Sequence, residues 1–163
     1  MKKILEINKN QTNYNWFGFL TRKEIYYMKI KILGHASAAK FLEKNPNKFD
    51  VIFISDPRNS YAIKGSEKIP ELAKEICSLF FCDLITSTFP APTQEDIEKA
   101  LVFAKGRKKL IVTCQAGVSR SSATAYVIKA AETNPTDALD ILDKSLHSPN
   151  DLIIRHGSNI LNL

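Results

Sequence analysis

Short apolar runs alternate with segments of helical periodicity along most of the chain. Four of these runs, rich in β-branched and aromatic residues, predict strands. They are residues 28–33, 51–55, 78–82 and 109–114, which read MKIKIL, VIFIS, SLFFC and KLIVTC. Strands that alternate with helices are typical of an α/β domain. We therefore predict a single α/β domain with a central, mostly parallel sheet of four or five strands, flanked by helices.

Two helices are predicted between these strands. Residues 37–45 form a short candidate, and residues 93–104 form a longer one whose first residue, Thr93, can cap the first turn. Acidic residues follow Thr93, where the helix dipole favours negative charge. Ile97 and Leu101 are spaced to lie on one face, so we expect this helix to pack against the sheet.

The C-terminal third is predicted to be mainly helical. The dipeptides Asn-Pro at residues 134–135 and Ser-Pro at residues 148–149 each place a capping residue before a proline suited to the first helical turn. After the first dipeptide, three leucines at helical spacing predict one buried face: Leu139, Leu142 and Leu146. After the second, Ile153 is expected to face the core.

Residues 1–27 differ from the rest of the chain. The apolar segments KKILEIN and NWFGFL are separated there by the polar stretch KNQTNY. This N-terminal extension could form a hairpin added to the domain or an arm. Because the first clear strand of the α/β pattern opens at Met28, we predict that the domain itself comprises residues 28–163.

Composition limits the possible functions. The chain has 163 residues, of which 44% are hydrophobic and 25% are charged, enough for one packed core. No apolar run approaches the roughly 18 residues that predict a membrane span, and the N-terminus has no signal-peptide pattern. We therefore expect a soluble, cytoplasmic protein with no membrane partner.

The net charge of +6 arises within residues 1–50. This excess could attract an anionic partner through long-range steering, or could simply form a solvated basic face. No Lys/Arg tract with interleaved aromatic residues is present, so nucleic acid is not an expected partner.

The cysteines and histidines do not predict a structural metal or disulfide framework. Three cysteines give neither a disulfide pattern nor a zinc-binding pair, so we expect reduced thiols: Cys77, Cys82 and Cys114. Three histidines are scattered at spacings that suggest no metal site: His35, His147 and His156. We expect no metal and no cofactor.

The segment VTCQAGVSRSS joins the last predicted strand to a helix. Cys114 ends the strand, Gly117 supplies backbone freedom for a turn, and Arg120 stands where the helix begins. Backbone N–H groups of residues 115–119, named here the signature loop, would point into one concave space at the positive end of the helix, which favours an anion. Arg120 can hold two phosphate oxygens, and the same field favours the thiolate of Cys114. The spacing predicts a phosphate-binding loop with a cysteine nucleophile.

The order strand, loop, helix around AGVSRS (residues 116–121) resembles the signature of cysteine-dependent protein tyrosine phosphatases. The resemblance is greatest to the dual-specificity branch, whose pattern is His-Cys-x-x-Gly-x-x-Arg-Ser/Thr. Residues 28–163 also resemble small bacterial tyrosine phosphatase-like proteins, which have a similar Ser-Pro-Asn before the last helix. This resemblance implies a phosphatase-like fold and hydrolysis of a phosphorylated protein or small phosphomonoester through a cysteinyl-phosphate intermediate.

The resemblance also implies roles for individual residues. Cys114 matches the nucleophile, Arg120 the phosphate clamp, and Ser121 the hydroxyl that stabilises the departing thiolate. Six residues would donate backbone N–H groups to the phosphate: Gln115, Ala116, Gly117, Val118, Ser119 and Arg120. Thr113 stands where the family has a histidine that orders the loop and tunes the thiol. A catalytically weak or inactive pseudophosphatase that binds phosphorylated ligands therefore stays open as an alternative.

A general acid is also required to protonate the leaving oxygen. Asp83 is the best candidate, since it begins a loop after a strand and precedes Cys114 by 31 residues, a separation similar to that in the dual-specificity branch. The alternative reading is a solvated loop aspartate. Asp96 falls inside a predicted helix, and Asp56 follows a different strand. Cys82 is expected to be a buried strand thiol, although a protective disulfide with Cys114 is an alternative.

Hypotheses from three classes remain at this point. They are a protein tyrosine or dual-specificity phosphatase, a phosphate-binding module without turnover, and a sulfur transferase of the rhodanese kind. The Gly-x-x-Arg-Ser ending argues against sulfur transfer. The interior of the signature loop contains no lysine, whereas phosphoinositide phosphatases of this superfamily tend to carry basic residues there. This difference favours a phosphoprotein substrate, on tyrosine or on serine/threonine.

Overall fold

A four-stranded parallel sheet forms the centre of the computed structural model, which describes residues 28–58, 61–83 and 90–163. The strands are β1 (Lys29–Gly34), β2 (Asp50–Ser55), β3 (Ile76–Phe80) and β4 (Lys109–Cys114). Their order across the sheet is β1-β4-β2-β3, and all neighbours run parallel. This arrangement confirms the predicted α/β fold. The predicted N-terminal extension lies outside the described residues.

Helices cover both faces of the sheet. The α-helices of the described residues are α1 (His35–Glu43), α2 (Ile69–Leu72), α3 (Gln94–Ala104), α4 (Arg120–Glu132), α5 (Pro135–Ala138) and α6 (Asp151–Leu161). Two short 3₁₀ turns complete them, at Ser66–Lys68 and Leu139–Ile141. None of the helices in the described part of the chain has the length and apolar character needed to span a bilayer.

The core has two layers because successive strand residues point to opposite faces of a sheet. In β4, Leu110 and Val112 pack on the face that carries α3, α4 and α6, while Ile111 packs on the face that carries α1 and α2. All residues of β2 are buried. A central strand covered on both sides in this way reads as a continuous apolar run, as VIFIS does.

The helix that follows β3 begins as predicted. Thr93 Oγ1 accepts a hydrogen bond from the Asp96 N–H at 3.2 Å, and Asp96 Oδ2 accepts one from the Thr93 N–H at 3.0 Å. This reciprocal pair is a capping box. Ile97 and Leu101 are buried against the sheet, which confirms the predicted face.

The predicted leucine face of residues 139–146 is wrong. α5 ends at Ala138 and is followed by a single 3₁₀ turn, after which the backbone is extended at Leu142. Leu139 and Leu146 are 50% and 57% exposed. The physical reason is that the helical conformation ends before Leu142, so the three leucines do not line one face.

The last helix starts two residues later than the Ser-Pro dipeptide predicts. Asn150 is the capping residue, since its Oδ1 accepts hydrogen bonds from the N–H groups of Leu152 and Ile153, each at 3.1 Å. Serine and asparagine are about equally good N-cap residues, so residue type alone does not decide between Ser148 and Asn150. In the structure, the Ser148 N–H instead donates to the Val118 carbonyl of the signature loop. Ile153 is fully buried, as predicted.

Candidate active site

The candidate site lies where the four parallel strands end. In parallel α/β sheets, ligands bind in the crevice outside the carboxyl ends of the strands. Here β1 is followed by His35, β4 ends at Cys114, β2 is followed by Asp56, and the chain leaves β3 towards Asp83. The topology thereby brings together residues that are far apart in the sequence.

Two glycines allow the signature loop to pack directly on the end of β1. Gly117 has φ +78, and a Cβ built on it would lie 2.4 Å from the Gly34 nitrogen. A Cβ on Gly34 would lie 2.9 Å from the carbonyl oxygen of Ala116. The His35 N–H donates a hydrogen bond to the Gln115 carbonyl at 3.3 Å. Side chains at either glycine would therefore force the loop and the strand apart.

Cys114 and Ser121 face each other at the base of the signature loop. Cys114 Sγ and Ser121 Oγ are 3.1 Å apart, and both residues are buried. Ser121 belongs to the first turn of α4, so its hydroxyl stands at the positive end of the helix dipole. A hydroxyl at this distance can donate a hydrogen bond to a thiolate.

Arg120 is held by one end of its guanidinium group. The residue is only 4% exposed, and its Nη1 donates a hydrogen bond at 2.9 Å to the carbonyl of Phe81, just beyond β3. The same nitrogen lies 3.6 Å from Asp56 Oδ1. Nε is buried and has no acceptor among the described residues. An unpaired donor of a buried cation costs free energy, so an anion that accepts from it is favoured here.

Asp83 contacts the signature loop. Its Oδ1 accepts a hydrogen bond from Ser119 Oγ at 2.7 Å and another from Asn150 Nδ2 at 2.9 Å. The fold therefore brings the predicted acid to the loop, although the sequence does not predict either contact. The carboxylate of Asp96 is instead used in the capping box, and that of Asp56 lies beside Arg120.

The carbonyl groups of the signature loop are engaged by residues outside it. The Val118 carbonyl accepts hydrogen bonds from the Ser148 N–H at 3.1 Å and from Ser122 Oγ. The Ser119 carbonyl accepts from the N–H groups of Ala123 and Asn150. Because the start of α4 and the approach to α6 bind these oxygens, the loop has a fixed backbone conformation.

Thr113 and His35 lie on the α1 face of the sheet. Thr113 is fully buried, and its Oγ1 has no hydrogen-bond partner within the described ranges. The neighbouring His35 ring stacks on Phe53, the register partner of Thr113, with ring centroids 4.4 Å apart. His35 Nε2 hydrogen-bonds to the Ile54 carbonyl at 3.1 Å. The sequence alone does not predict these contacts of His35, because a lone histidine does not reveal its stacking partner.

The imidazole of His35 is neutral in this environment. Burial lowers the pKa of His35 to about 4, and the nearby positive charge of Arg120 acts in the same direction. The hydrogen bond to Ile54 and the charge of Asp56 oppose that shift. A neutral ring at this position adds no second cation beside Arg120.

Cys82 is a partly buried thiol near Asp56. Burial raises the pKa of Cys82, as do its hydrogen bond to Asp56 and the charge of that carboxylate, so the protonated thiol is favoured. All three cysteines are free. Among the residues that the structure describes, no three His, Cys, Asp or Glu side chains come together as a metal-binding group.

No protein-family model and no curated protein sequence matches this chain. Solved structures do match its fold. A human tyrosine phosphatase-like serine/threonine/tyrosine-interacting protein aligns with TM-score 0.60 and 18% identity, covering 82% of this chain and 91% of that one. PTPMT1 in complex with PI(5)P gives 0.55 and 18%, with coverage of 84% and 95%. Tk-PTP in its active form gives 0.51 and 11%, with coverage of 84% and 91%.

These likenesses cover most of each chain, so they concern the whole domain and not the signature loop alone. TM-scores of 0.60, 0.55 and 0.51 over this coverage show a shared fold. The chain therefore has the same phosphatase-like α/β fold as these solved structures.

Proposed function

We propose that the protein is a cysteine-dependent phosphomonoesterase that hydrolyses phosphotyrosine or phosphoserine/threonine in proteins, with residues 28–163 as its catalytic domain. One observation carries this proposal. The Cys114 thiol stands 3.1 Å from the Ser121 hydroxyl, beside a buried Arg120 whose Nε has no acceptor in the described part of the chain. These contacts support the roles proposed for the three residues: Cys114 as nucleophile, Ser121 as the hydroxyl that stabilises the thiolate, and Arg120 as the phosphate clamp.

In the first step, the phosphate binds with its oxygens on the N–H groups of residues 115–120 and on the guanidinium of Arg120. The Cys114 thiolate attacks phosphorus, so an S–P bond forms as the P–O bond to the leaving group breaks. Asp83 gives its proton to the leaving oxygen. The products of this step are the free alcohol or phenol and a cysteinyl-phosphate.

In the second step, water attacks the phosphorus of the intermediate, and Asp83, now a carboxylate, takes the proton of that water. The S–P bond breaks and its electron pair returns to sulfur. The Ser121 hydroxyl stabilises the departing thiolate by a hydrogen bond across the 3.1 Å contact. Phosphate leaves and the resting enzyme is restored, with no cofactor needed in either step.

The test is hydrolysis of an aryl phosphate, with and without a metal chelator, by the wild type and by Cys114→Ser. We expect chelator-resistant turnover that falls below a few per cent in the variant, because a serine hydroxyl is not ionised near neutral pH. Phosphate binding is expected to persist in Cys114→Ser, since the loop is unchanged. Cys77→Ser, which removes a free thiol from β3, is the matched control and should keep its activity.

Turnover by Cys114→Ser at the wild-type rate would contradict the thiolate mechanism. The substrate class follows from a panel of phosphotyrosine peptide, phosphoserine peptide and PI(5)P under the same conditions. The signature loop, with no lysine, favours the peptides. The lipid is included because PTPMT1, one of the structures of similar fold, is seen in complex with it.

A second candidate function is a pseudophosphatase that binds phosphorylated ligands without hydrolysing them. Its support is Thr113, which replaces the histidine of the signature and leaves a buried Oγ1 without a partner among the described residues. If this candidate is correct, the wild type binds phosphopeptides and Arg120→Lys weakens that binding. The wild type and Cys114→Ser then show no difference in turnover. The same panel therefore distinguishes the two functions.

A further inference from the structure

Asn150 connects three parts of the site. Its Oδ1 caps α6 by accepting from the N–H groups of Leu152 and Ile153. Its Nδ2 donates to Asp83 twice, to the backbone carbonyl and to Oδ1, each at 2.9 Å. Its own N–H donates to the carbonyl of Ser119 in the signature loop at 3.4 Å. One side chain and its backbone thus contact helix, acid and loop.

The helix that carries Asn150 is firmly attached to the helix that follows the signature loop. Ile153 of α6 is fully buried. Gly157 packs so closely on α4 that an added Cβ would lie 2.4 Å from a methyl group of Val127. Since α4 begins at Arg120, the position of Asn150 is fixed relative to the phosphate-binding residues.

Asp83 lies beyond the end of β3, outside the helices and strands of the described residues. Within those residues, its carboxylate accepts hydrogen bonds from Ser119 Oγ at 2.7 Å and from Asn150 Nδ2 at 2.9 Å. Both donors bind the same oxygen, Oδ1, which orients the carboxyl group. The other oxygen, Oδ2, is then the atom that can exchange a proton with the leaving group.

We propose that Asn150 is a positioning residue that holds Asp83 in place for proton transfer to the leaving oxygen. This inference rests on the proposed function, since it assigns Asp83 a part in the same reaction. A general acid acts only within hydrogen-bond reach of the atom that it protonates. Loss of the Nδ2 donor therefore slows the step that needs the proton and spares phosphate binding.

The experiment compares Asn150→Ser with Asp83→Asn on two aryl phosphates, one with a good leaving group and one with a poor leaving group. Serine retains an N-cap oxygen for α6 but lacks the amide donor. We expect Asn150→Ser to lower kcat at least about tenfold on the poor leaving group and less than about twofold on the good one, with KM little changed. Asp83→Asn should show the same leaving-group dependence with a larger loss.

Asn134→Ser is the matched control. Asn134 caps α5 with Oδ1 and donates from Nδ2 to Asp137, so it makes the same two kinds of contact away from the site. It should leave both rates unchanged. The double variant Asp83→Asn/Asn150→Ser should be no slower than Asp83→Asn alone, because both changes act on one proton transfer.

The following results would contradict the positioning role of Asn150. An equal loss on both substrates for Asn150→Ser, or additive losses in the double variant, would overturn the positioning role and leave the phosphatase function intact. If Asn150→Ser unfolds at assay temperature, Asn150→Thr replaces it, since threonine also caps a helix but has no amide donor. Wild-type protein without Cys114-dependent turnover on either substrate would overturn both proposals.

Discussion

Arg120 combines a positive charge, a buried position and a hydrogen bond from only part of its guanidinium group. Its Nη1 donates a hydrogen bond to the Phe81 carbonyl, and its buried Nε has no acceptor among the described residues. A planar fork can be anchored at one nitrogen and still bind an oxyanion at another, whereas an ammonium is a single point of charge. The proposed phosphate site therefore requires arginine at residue 120, and not only a positive charge.

We predict that Arg120→Lys lowers kcat/KM by roughly 10²- to 10³-fold, the loss expected when one preorganised donor to the transition state is removed. Initial-rate kinetics on an aryl phosphate measure this loss. Arg155→Lys, an exposed change on α6, is the control and should be neutral. Equal kinetics in the two variants would remove Arg120 from the phosphate site.

His35 gives a prediction about stability and pH. Burial lowers its pKa from 6.5 to about 4 in the folded protein, so the unfolded chain binds more protons between these values. Stability is then greatest above pH 6.5 and falls as the pH drops towards 4. At pH 4 the protonation of His35 in the unfolded chain lowers the free energy of unfolding by about 3 kcal/mol, because one pKa unit corresponds to about 1.4 kcal/mol.

The comparison of wild type with His35→Gln isolates this contribution. Denaturant unfolding at several pH values between 4 and 7.5 should show a steeper loss for the wild type, since glutamine does not titrate. All other residues are the same in the two proteins, so the difference between their curves reports the effect of residue 35. Parallel stability curves for the two proteins would show that His35 does not protonate on unfolding in this range.

At the scale of structural elements, the contact between the end of β1 and the signature loop requires glycine on both sides. Gly34 and Gly117 approach so closely that neither position has room for a Cβ. Gly117 also has φ +78, a backbone conformation that glycine adopts without steric cost. The end of one strand thus sets the conformation of a loop that follows another.

We predict that Gly117→Ala destabilises the protein by clearly more than Gly106→Ala and abolishes turnover. Gly106 is a matched control because its φ is +76 and a Cβ there meets nothing within 4 Å. Gly106→Ala should cost about 1–2 kcal/mol from backbone strain alone and retain activity. Thermal unfolding and kcat/KM of both variants measure the difference, and equal losses would contradict a steric role for Gly117.

At the scale of the whole molecule, sheet order decides which residues meet. With β4 between β1 and β2, the signature loop has His35 on one side and Asp56 on the other. α6 packs on α4 and brings Asn150 to the same edge. The likeness to phosphatase structures extends over more than four-fifths of this chain, so the arrangement belongs to the domain as a whole.

The sequence by itself determined the features that are local in the chain. The apolar runs predicted all four strands of the described sheet, because a buried strand must be apolar and β-prone over a few consecutive residues. Thr93 and its acidic neighbours predict the start of α3, because capping and the helix dipole act within the first helical turn. Cys114 and Arg120 could be paired because a strand, a short loop and a helix start fix their separation.

Only the tertiary structure decided the contacts between distant residues. Ser119 meets Asp83 across 36 residues, Arg120 meets Phe81 across 39, and Asn150 meets Asp83 across 67. No periodicity or spacing encodes such pairs, since they depend on strand order and on which helix faces pack. The predicted leucine face of residues 139–146 is wrong because the backbone becomes extended at Leu142, and Leu139 and Leu146 are exposed.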